Sequence, residues 1–212
     1  MVRNIYPIMV MIVSLWAVPC QAGNDAVPAG DLREKATIIY HADFVVDAPL
    51  VLWNKIVDHP LLMGKLWNLY NFQPAYEVTA TEKGIRVVDS LGLNCEFVLI
   101  DASVTGRTFH CRGSINHWAV PSFISAEGLF VFHYKEDGQR IQGNFEVFLR
   151  GDNMITDFLL ELAAGKLKIR LHNRFTHNLE DMKKIVFDLC RHPDRIRSRL
   201  AAGALEEFNS LF

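Results

Sequence analysis

Three consecutive pairs of β-rich segments, each joined by a short turn, limit most strongly what this chain can fold into. The pairs are 76–80 with 85–90, 94–101 with 107–115, and 128–135 with 139–150. The turn regions contain Gly84, Thr105-Gly106 and Asp137-Gly138, and Asp-Gly is among the strongest signals for a short hairpin. Three hairpins in a row predict an antiparallel meander.

Apolar and polar side chains alternate within these strands, as they do when a sheet has two different faces. One parity carries Phe97, Leu99, Phe109, Cys111, Phe130, Phe132, Phe145 and Val147, and the other carries Glu96, His110, Arg112, His133, Lys135, Glu146 and Arg150. The pattern predicts a sheet that is covered on its apolar face only.

A long helical stretch at residues 154–190 is the predicted cover. Its apolar stripe is formed by Ile155, Phe158, Leu159, Leu162, Phe175, Leu179, Met182, Val186 and Leu189. Gly165 predicts a kink or break, His192-Pro193 ends the stretch, and residues 195–212 predict a terminal helix. A sheet covered by one long helix is an α+β fold.

The region before the meander adds one strand and two short helices. Residues 36–46 are mostly β-branched or aromatic and predict a strand. Asp47-Ala48-Pro49 is a helix-start signal, and Pro60 ends the helix that follows. Residues 61–70 predict a second short helix.

The first 22 residues have the pattern of a secretory leader. One basic residue, Arg3, precedes an apolar stretch over 5–18, and Cys20 and Ala22 fit the small-x-small rule for cleavage before Gly23. The alternative is an uncleaved anchor. We expect a leader at 1–22, a disordered lead-in at 23–35, one domain at 36–190 and a helical tail at 191–212. This organisation predicts a periplasmic or secreted protein.

The charge of the chain argues against nucleic-acid binding, and its cysteines leave a Cys95–Cys111 disulfide open. The formal net charge is −2, and this lack of a positive excess predicts no binding to nucleic acid. Cys95, Cys111 and Cys190 remain after cleavage, so at least one is free or pairs between chains. A turn centred near Ser103 would place Cys95 opposite Cys111, whereas the favoured turn at Thr105-Gly106 separates them.

The order of strand, helical insert, meander and long closing helix resembles the START-like superfamily, which includes polyketide cyclases and plant Bet v 1-type proteins. The matching residues are Phe44-Val45-Val46-Asp47-Ala48-Pro49 with Trp53, and the closing Asn178-Leu179-Glu180-Asp181-Met182-Lys183-Lys184. The resemblance covers about residues 37–189 and implies a helix-grip fold, in which the sheet bends around the last helix and leaves a cavity for lipids, sterols or aromatic polyketides. The leader and the tail beyond Pro193 depart from common members and leave the subfamily open.

The candidate ligand-binding residues are the apolar ones on which the sheet and the helix would face each other: Phe97, Leu99, Phe109, Phe130, Phe132, Phe145, Phe158, Leu159 and Leu162. A hydrocarbon tail entering between them would gain about 25 cal/mol for each Å² removed from water. The alternative is a solid core that fills itself. The apolar loop at 116–126, with Trp118, is a candidate for transient contact with a membrane surface. Two sets of cations are candidates for contact with anionic head groups, with a solvated face as the alternative: Lys166, Lys168, Arg170 and Arg174, and Arg191, Arg195, Arg197 and Arg199.

Signals for catalysis are weak. The chain has no Gly-x-Ser-x-Gly, His-Glu-x-x-His, Cys-x-x-Cys or glycine-rich phosphate motif, and its eight histidines do not form a metal pattern. We therefore predict neither a cofactor nor a metal and favour a non-catalytic binder or carrier of a hydrophobic molecule. The alternatives are a cyclase- or dehydratase-like enzyme, if His110, Arg112 or His133 line the cavity, and a protein-interaction module with a filled core.

Overall fold

The computed structural model describes residues 29–115 and 125–212, and residues 38–191 form helices and strands in the order that the sequence predicts. The elements are α1 (Ala29–Glu34), β1 (Ile38–Val46), α2 (Leu50–Val57), α3 (Pro60–Leu69), β2 (Tyr76–Ala80), β3 (Ile85–Asp89), β4 (Leu93–Ser103), β5 (Gly106–Ile115), β6 (Ser125–Asp137), β7 (Arg140–Gly151), α4 (Met154–Arg191), α5 (Pro193–Arg197) and α6 (Ala202–Leu211). Pro60 takes the first position of α3, where its missing N–H costs no helical hydrogen bond.

All strand pairs in the sheet are antiparallel, and the strand order is β1-β7-β6-β5-β4-β3-β2. The meander is therefore confirmed, and β1 joins its far end by pairing with β7, with Ile38 opposite Leu149. Consecutive strands β1 and β2 thus occupy the two edges of the sheet, and α2 and α3 make the connection between them.

The β4–β5 hairpin turns at Val104-Thr105, one residue before the predicted position. The register shifts between Leu99 and Asp101, so that Cys95 pairs with Gly113 and Cys111 with Phe97. Cys95 and Cys111 are both buried free thiols, and their side chains remain in contact across the strands.

The apolar face of the sheet packs against α4, which confirms the α+β helix-grip architecture. Phe97, Phe109, Phe130, Phe145 and Val147 belong to one core cluster with the α4 residues Leu167, Leu171, Phe175, Ile185 and Val186. Asn153 caps the start of α4, because its side chain accepts a hydrogen bond from the Thr156 backbone N–H at 3.0 Å.

Two predictions about α4 are wrong. The helix runs without a break through Gly165, where an added Cβ would meet no atom of the described chain within 4 Å. Phe158, Leu159 and Leu162 do not face the sheet but lie on the exposed side of α4. Leu160, Leu167 and Leu171 face the sheet instead.

The two ends of the domain also differ from the predictions. Part of the expected disordered lead-in forms α1, and Leu32 of α1 packs on Leu129, Val131 and Phe148 on the outer face of the sheet. The tail forms two helices, α5 and α6, where one was predicted. The predicted leader at 1–22 and most of the loop at 116–126 lie outside the described residues.

Candidate functional site

A small cavity lies between the sheet and the second half of α4. It measures about 40 Å³ and is lined by Phe44, Trp53, Phe132, Phe175, Asn178, Leu179 and Met182. Four of these residues come from α4 at spacings of three and four, which places them on one helical face. Three separate elements, β1, α2 and β6, supply the opposite wall.

Aromatic contacts hold this wall in place. Phe175 stacks on Phe145 with a centroid distance of 5.1 Å and nearly parallel rings, and it meets Phe44 edge-on at 6.4 Å. Phe44 in turn contacts Trp53 at 5.7 Å. Such pairs each add about 0.5–1.5 kcal/mol beyond their area burial, so these contacts stabilise the aromatic part of the lining.

One polar donor in the lining lacks a partner. Trp53 is buried, and its indole Nε1 makes no hydrogen bond within the part of the chain that the structure describes. A buried N–H left without an acceptor costs about 1–3 kcal/mol. A residue that lines the cavity therefore carries a buried donor without a partner among the described residues.

A buried polar network ties α4 to the sheet beside the cavity. The Tyr76 hydroxyl accepts hydrogen bonds from Arg174 Nη2 at 2.6 Å and from Asn178 Nδ2 at 3.1 Å. Arg174 Nη2 also lies 3.4 Å from the Asp89 carboxylate. Burial raises the pKa of Tyr76 to about 12, so this hydroxyl stays neutral at physiological pH.

The predicted lining residues fall into two groups in the structure. Phe97, Phe109, Phe130 and Phe145 are at most 2% exposed, so protein atoms cover them, while Leu99 and Phe132 are partly buried against the same core. Phe132 alone of the nine predicted residues lines the 40 Å³ cavity. Phe158, Leu159 and Leu162 are directed away from it. The assignment of these nine residues to ligand binding remains a prediction.

Sequence reasoning missed most of the residues that line this cavity. The sequence places Phe175, Leu179 and Met182 on the apolar stripe of the long helix, Phe44 in the first predicted strand and Trp53 in the helix after it, but none of them in the site. Their helical spacing and the Phe44–Trp53 pair were the available signal. Nothing in the sequence shows that β1 and α2 meet α4 there.

The polar candidates lie on the other face of the sheet. His110 faces Glu127 at 3.6 Å and Arg112 pairs with Asp152 at 3.3 Å, while His133 is exposed. Burial lowers the pKa of His110, and the nearby Glu127 carboxylate opposes that shift. These three residues therefore do not line the cavity under α4.

The fold and the position of the cavity define this chain as a helix-grip protein, as the resemblance to START-like proteins implied. No family model matches the chain, and no curated protein matches it. In the described residues, no helix has the length and apolar character needed to cross a bilayer.

Several solved structures are similar to the chain at low identity. A conserved protein from Geobacillus kaustophilus has a TM-score of 0.48 and 9% identity, over 69% of this chain and 96% of that one. Ara h 8.0201 has a TM-score of 0.48 and 9% identity, over 71% and 97%. Norcoclaurine synthase from Thalictrum flavum has a TM-score of 0.46 and 12% identity, over 81% and 99%. At these identities the likeness concerns the fold alone.

Proposed function

We propose that the protein is an exported, non-catalytic binder or carrier of a lipid or other hydrophobic small molecule, held between the sheet and α4. The observation that carries this proposal is the cavity under α4, whose walls are aromatic and aliphatic and whose Trp53 N–H has no partner among the described residues. An apolar molecule with one acceptor, such as a carboxylate, an ester or a hydroxyl, fits that chemistry.

The cavity must enlarge before it holds such a molecule. Its 40 Å³ is well below the 300–1,000 Å³, roughly, of small-molecule sites. Phe132 and Leu179 are partly exposed at its edge, and movement of their side chains or of α4 opens the space. Ligand binding thus requires movement of these side chains, of α4, or of both.

The groups that line the cavity favour a non-catalytic role. Among the described residues its polar groups are the Asn178 amide and the Trp53 indole N–H, and neither takes up or releases a proton near neutral pH. A cyclase- or dehydratase-like enzyme would need acid–base groups there, and His110, Arg112 and His133 lie on the opposite face of the sheet. Export rests on the leader pattern at 1–22, and a secreted chain beginning at Gly23 would support it.

Native mass spectrometry of the protein purified without detergent tests the proposal. A retained lipid mass, or uptake of a fluorescent fatty acid, is the expected result. Leu179→Trp fills the edge of the cavity and should abolish uptake, while Phe187→Trp, an exposed position on the same helix, should not. Trp53→Phe keeps the apolar wall but removes the donor, and it should weaken binding about tenfold.

A protein-interaction module with a filled core is the second candidate. The near-complete burial of Phe97, Phe109, Phe130 and Phe145 favours it. No adduct together with no fatty-acid uptake would contradict the carrier proposal and support this alternative.

A further inference from the structure

The first half of α4 is apolar on two opposite sides. Leu160, Leu167 and Leu171 are buried against the sheet. The opposite side carries large apolar residues that are exposed, and we name this set the outer stripe: Met154, Ile155, Phe158, Leu159, Leu162 and Ile169. Met154 is 88% exposed and Leu162 is 70% exposed, so protein atoms of the described chain leave this surface almost uncovered.

The helical geometry makes the outer stripe continuous. At about 100° per residue, its members centre near the direction of Phe158, roughly 180° from Leu167. Met154 and Ile169 are separated by about 22 Å along the axis. Beyond Ile169 the same side becomes polar and exposed at His172, Asn173 and Thr176. The stripe is thus a bounded surface and not a continuation of the core.

Lysines border the outer stripe on both sides. Lys166 and Lys168 are exposed and lie about 80° to either side of Phe158. Glu161 is exposed on the Lys168 side, where Asp157 is half-buried, so the exposed charges of the two borders together are two positive and one negative. An apolar strip between lysines matches a bilayer surface, where the apolar residues enter the acyl boundary and the ammonium groups reach anionic head groups.

We propose that the outer stripe of α4 is a docking surface for an anionic lipid bilayer. The proposal deepens the proposed function, because a lipid carrier has to meet the membrane that supplies or receives its lipid. It places that contact on α4, the helix that covers the cavity and whose movement is one of the two ways to enlarge it. Docking and opening therefore act on one element.

Photolabelling of the full-length chain provides a site-resolved test. Vesicles of equal parts phosphatidylcholine and phosphatidylglycerol carry a diazirine on one acyl chain, and trypsin then releases residues 151–166 as one peptide. The peptide contains five of the six residues of the outer stripe. Lipid adducts on the apolar leader appear on other peptides and do not add to its signal. We expect lipid adducts on residues 151–166.

Leu162→Gln should lower labelling of this peptide about tenfold. Val51→Gln is the matched control, because Val51 is also 70% exposed on a helix but lies outside the stripe. Lys166→Glu, for which trypsin releases residues 151–168 instead, and Lys168→Glu should each lower labelling about fivefold at low salt, and less at high salt. Equal labelling of Leu162→Gln and the unaltered chain would overturn the proposal.

Two further outcomes separate the competing explanations. A dimer in sedimentation that Leu162→Gln dissociates, with no lipid adducts on residues 151–166, would assign the stripe to a second copy of the chain and overturn membrane docking. Labelled residues 151–166 without fatty-acid uptake would remove the carrier function but support the docking surface. If Leu162→Gln still takes up fatty acid but its residues 151–166 are not labelled, the outer stripe serves membrane docking and the cavity binds its ligand independently of it.

Discussion

Tyr76 connects the β2 edge of the sheet to α4 through one hydroxyl oxygen. Arg174 and Asn178, one helical turn apart, both donate to that oxygen, and the Arg174 guanidinium also lies 5.4 Å from the Tyr76 ring centroid. Hydrogen bonds between a charged donor and a buried acceptor are stronger than neutral ones, and losing one partner leaves the other desolvated. This residue therefore determines how firmly the middle of α4 is held to the sheet.

Tyr76→Phe should destabilise the protein by about 1–3 kcal/mol at neutral pH, because Arg174 and Asn178 lose their acceptor. The unaltered chain should also lose stability as the pH rises from 10.0 towards about 12, since an unfolded tyrosine ionises there while burial keeps Tyr76 protonated. Tyr76→Phe should make this alkaline slope shallower by at most about 1.4 kcal/mol per pH unit. Urea unfolding from pH 8 to 11.5 measures both effects. If the free energy of unfolding fell equally steeply with pH in the unaltered chain and in Tyr76→Phe, the raised pKa of Tyr76 would be contradicted.

At the scale of elements, α4 combines two different surfaces on one helix. Its second half buries Phe175, Met182, Ile185, Val186 and Leu189 in the core. Its first half divides its apolar residues between the sheet and the outer stripe. Because α4 is continuous through Gly165, its two halves belong to one helix. A displacement of the helix at the outer stripe would therefore also change its position at the cavity.

Gly165→Ala should stabilise the protein by about 1 kcal/mol, because the helix gains a better helix former and the added Cβ meets open space. Gly64→Ala, in α3, is the control of opposite sign, since its Cβ would lie 2.7 Å from Val78 Cγ2. Guanidinium unfolding of both variants measures the difference. A destabilised Gly165→Ala would mean that α4 bends at this position.

The order of the meander strands was predictable from the sequence, but the pairing of β1 with β7 and the outward direction of Phe158 were not. Hairpins leave local signals, such as Asp137-Gly138, and alternation along β5–β7 identified the buried face. In α4, Phe158 and Leu160 are both apolar, and only contacts with distant strands decide which one is buried. The cavity was beyond prediction for the same reason, because Trp53 and Met182 meet only after folding. Helix α1 was missed because its short Ala-Gly start resembles a loop.

At the scale of the whole molecule, burial separates the three described cysteines. Cys95 and Cys111 lie inside the sheet-and-helix core, whereas Cys190 is exposed near the end of α4. Burial raises the pKa of the Cys111 thiol well above its usual value, so the reactive thiolate is scarce there. The thiols of Cys95 and Cys111 thus report on opening of the core.

Iodoacetamide should modify Cys190 in the folded protein and leave Cys95 and Cys111 unmodified until denaturant is added. Peptide mapping by mass spectrometry follows each site separately. Modification of all three at one rate would show that the core opens readily. A disulfide-linked peptide pair containing Cys95 and Cys111 would show that their contact across the strands permits a bridge.

The pairing of β1 with β7 has a consequence for a chain that is made from its amino end. Ile38 finds its strand partner only when Leu149 has been synthesised, and the helix that covers both comes later still. Strand β1 therefore stays without its final neighbours for most of translation, whereas each hairpin of the meander has its partner strand soon after it is made. The β1–β7 edge of the sheet is thus the last part of the sheet to be completed.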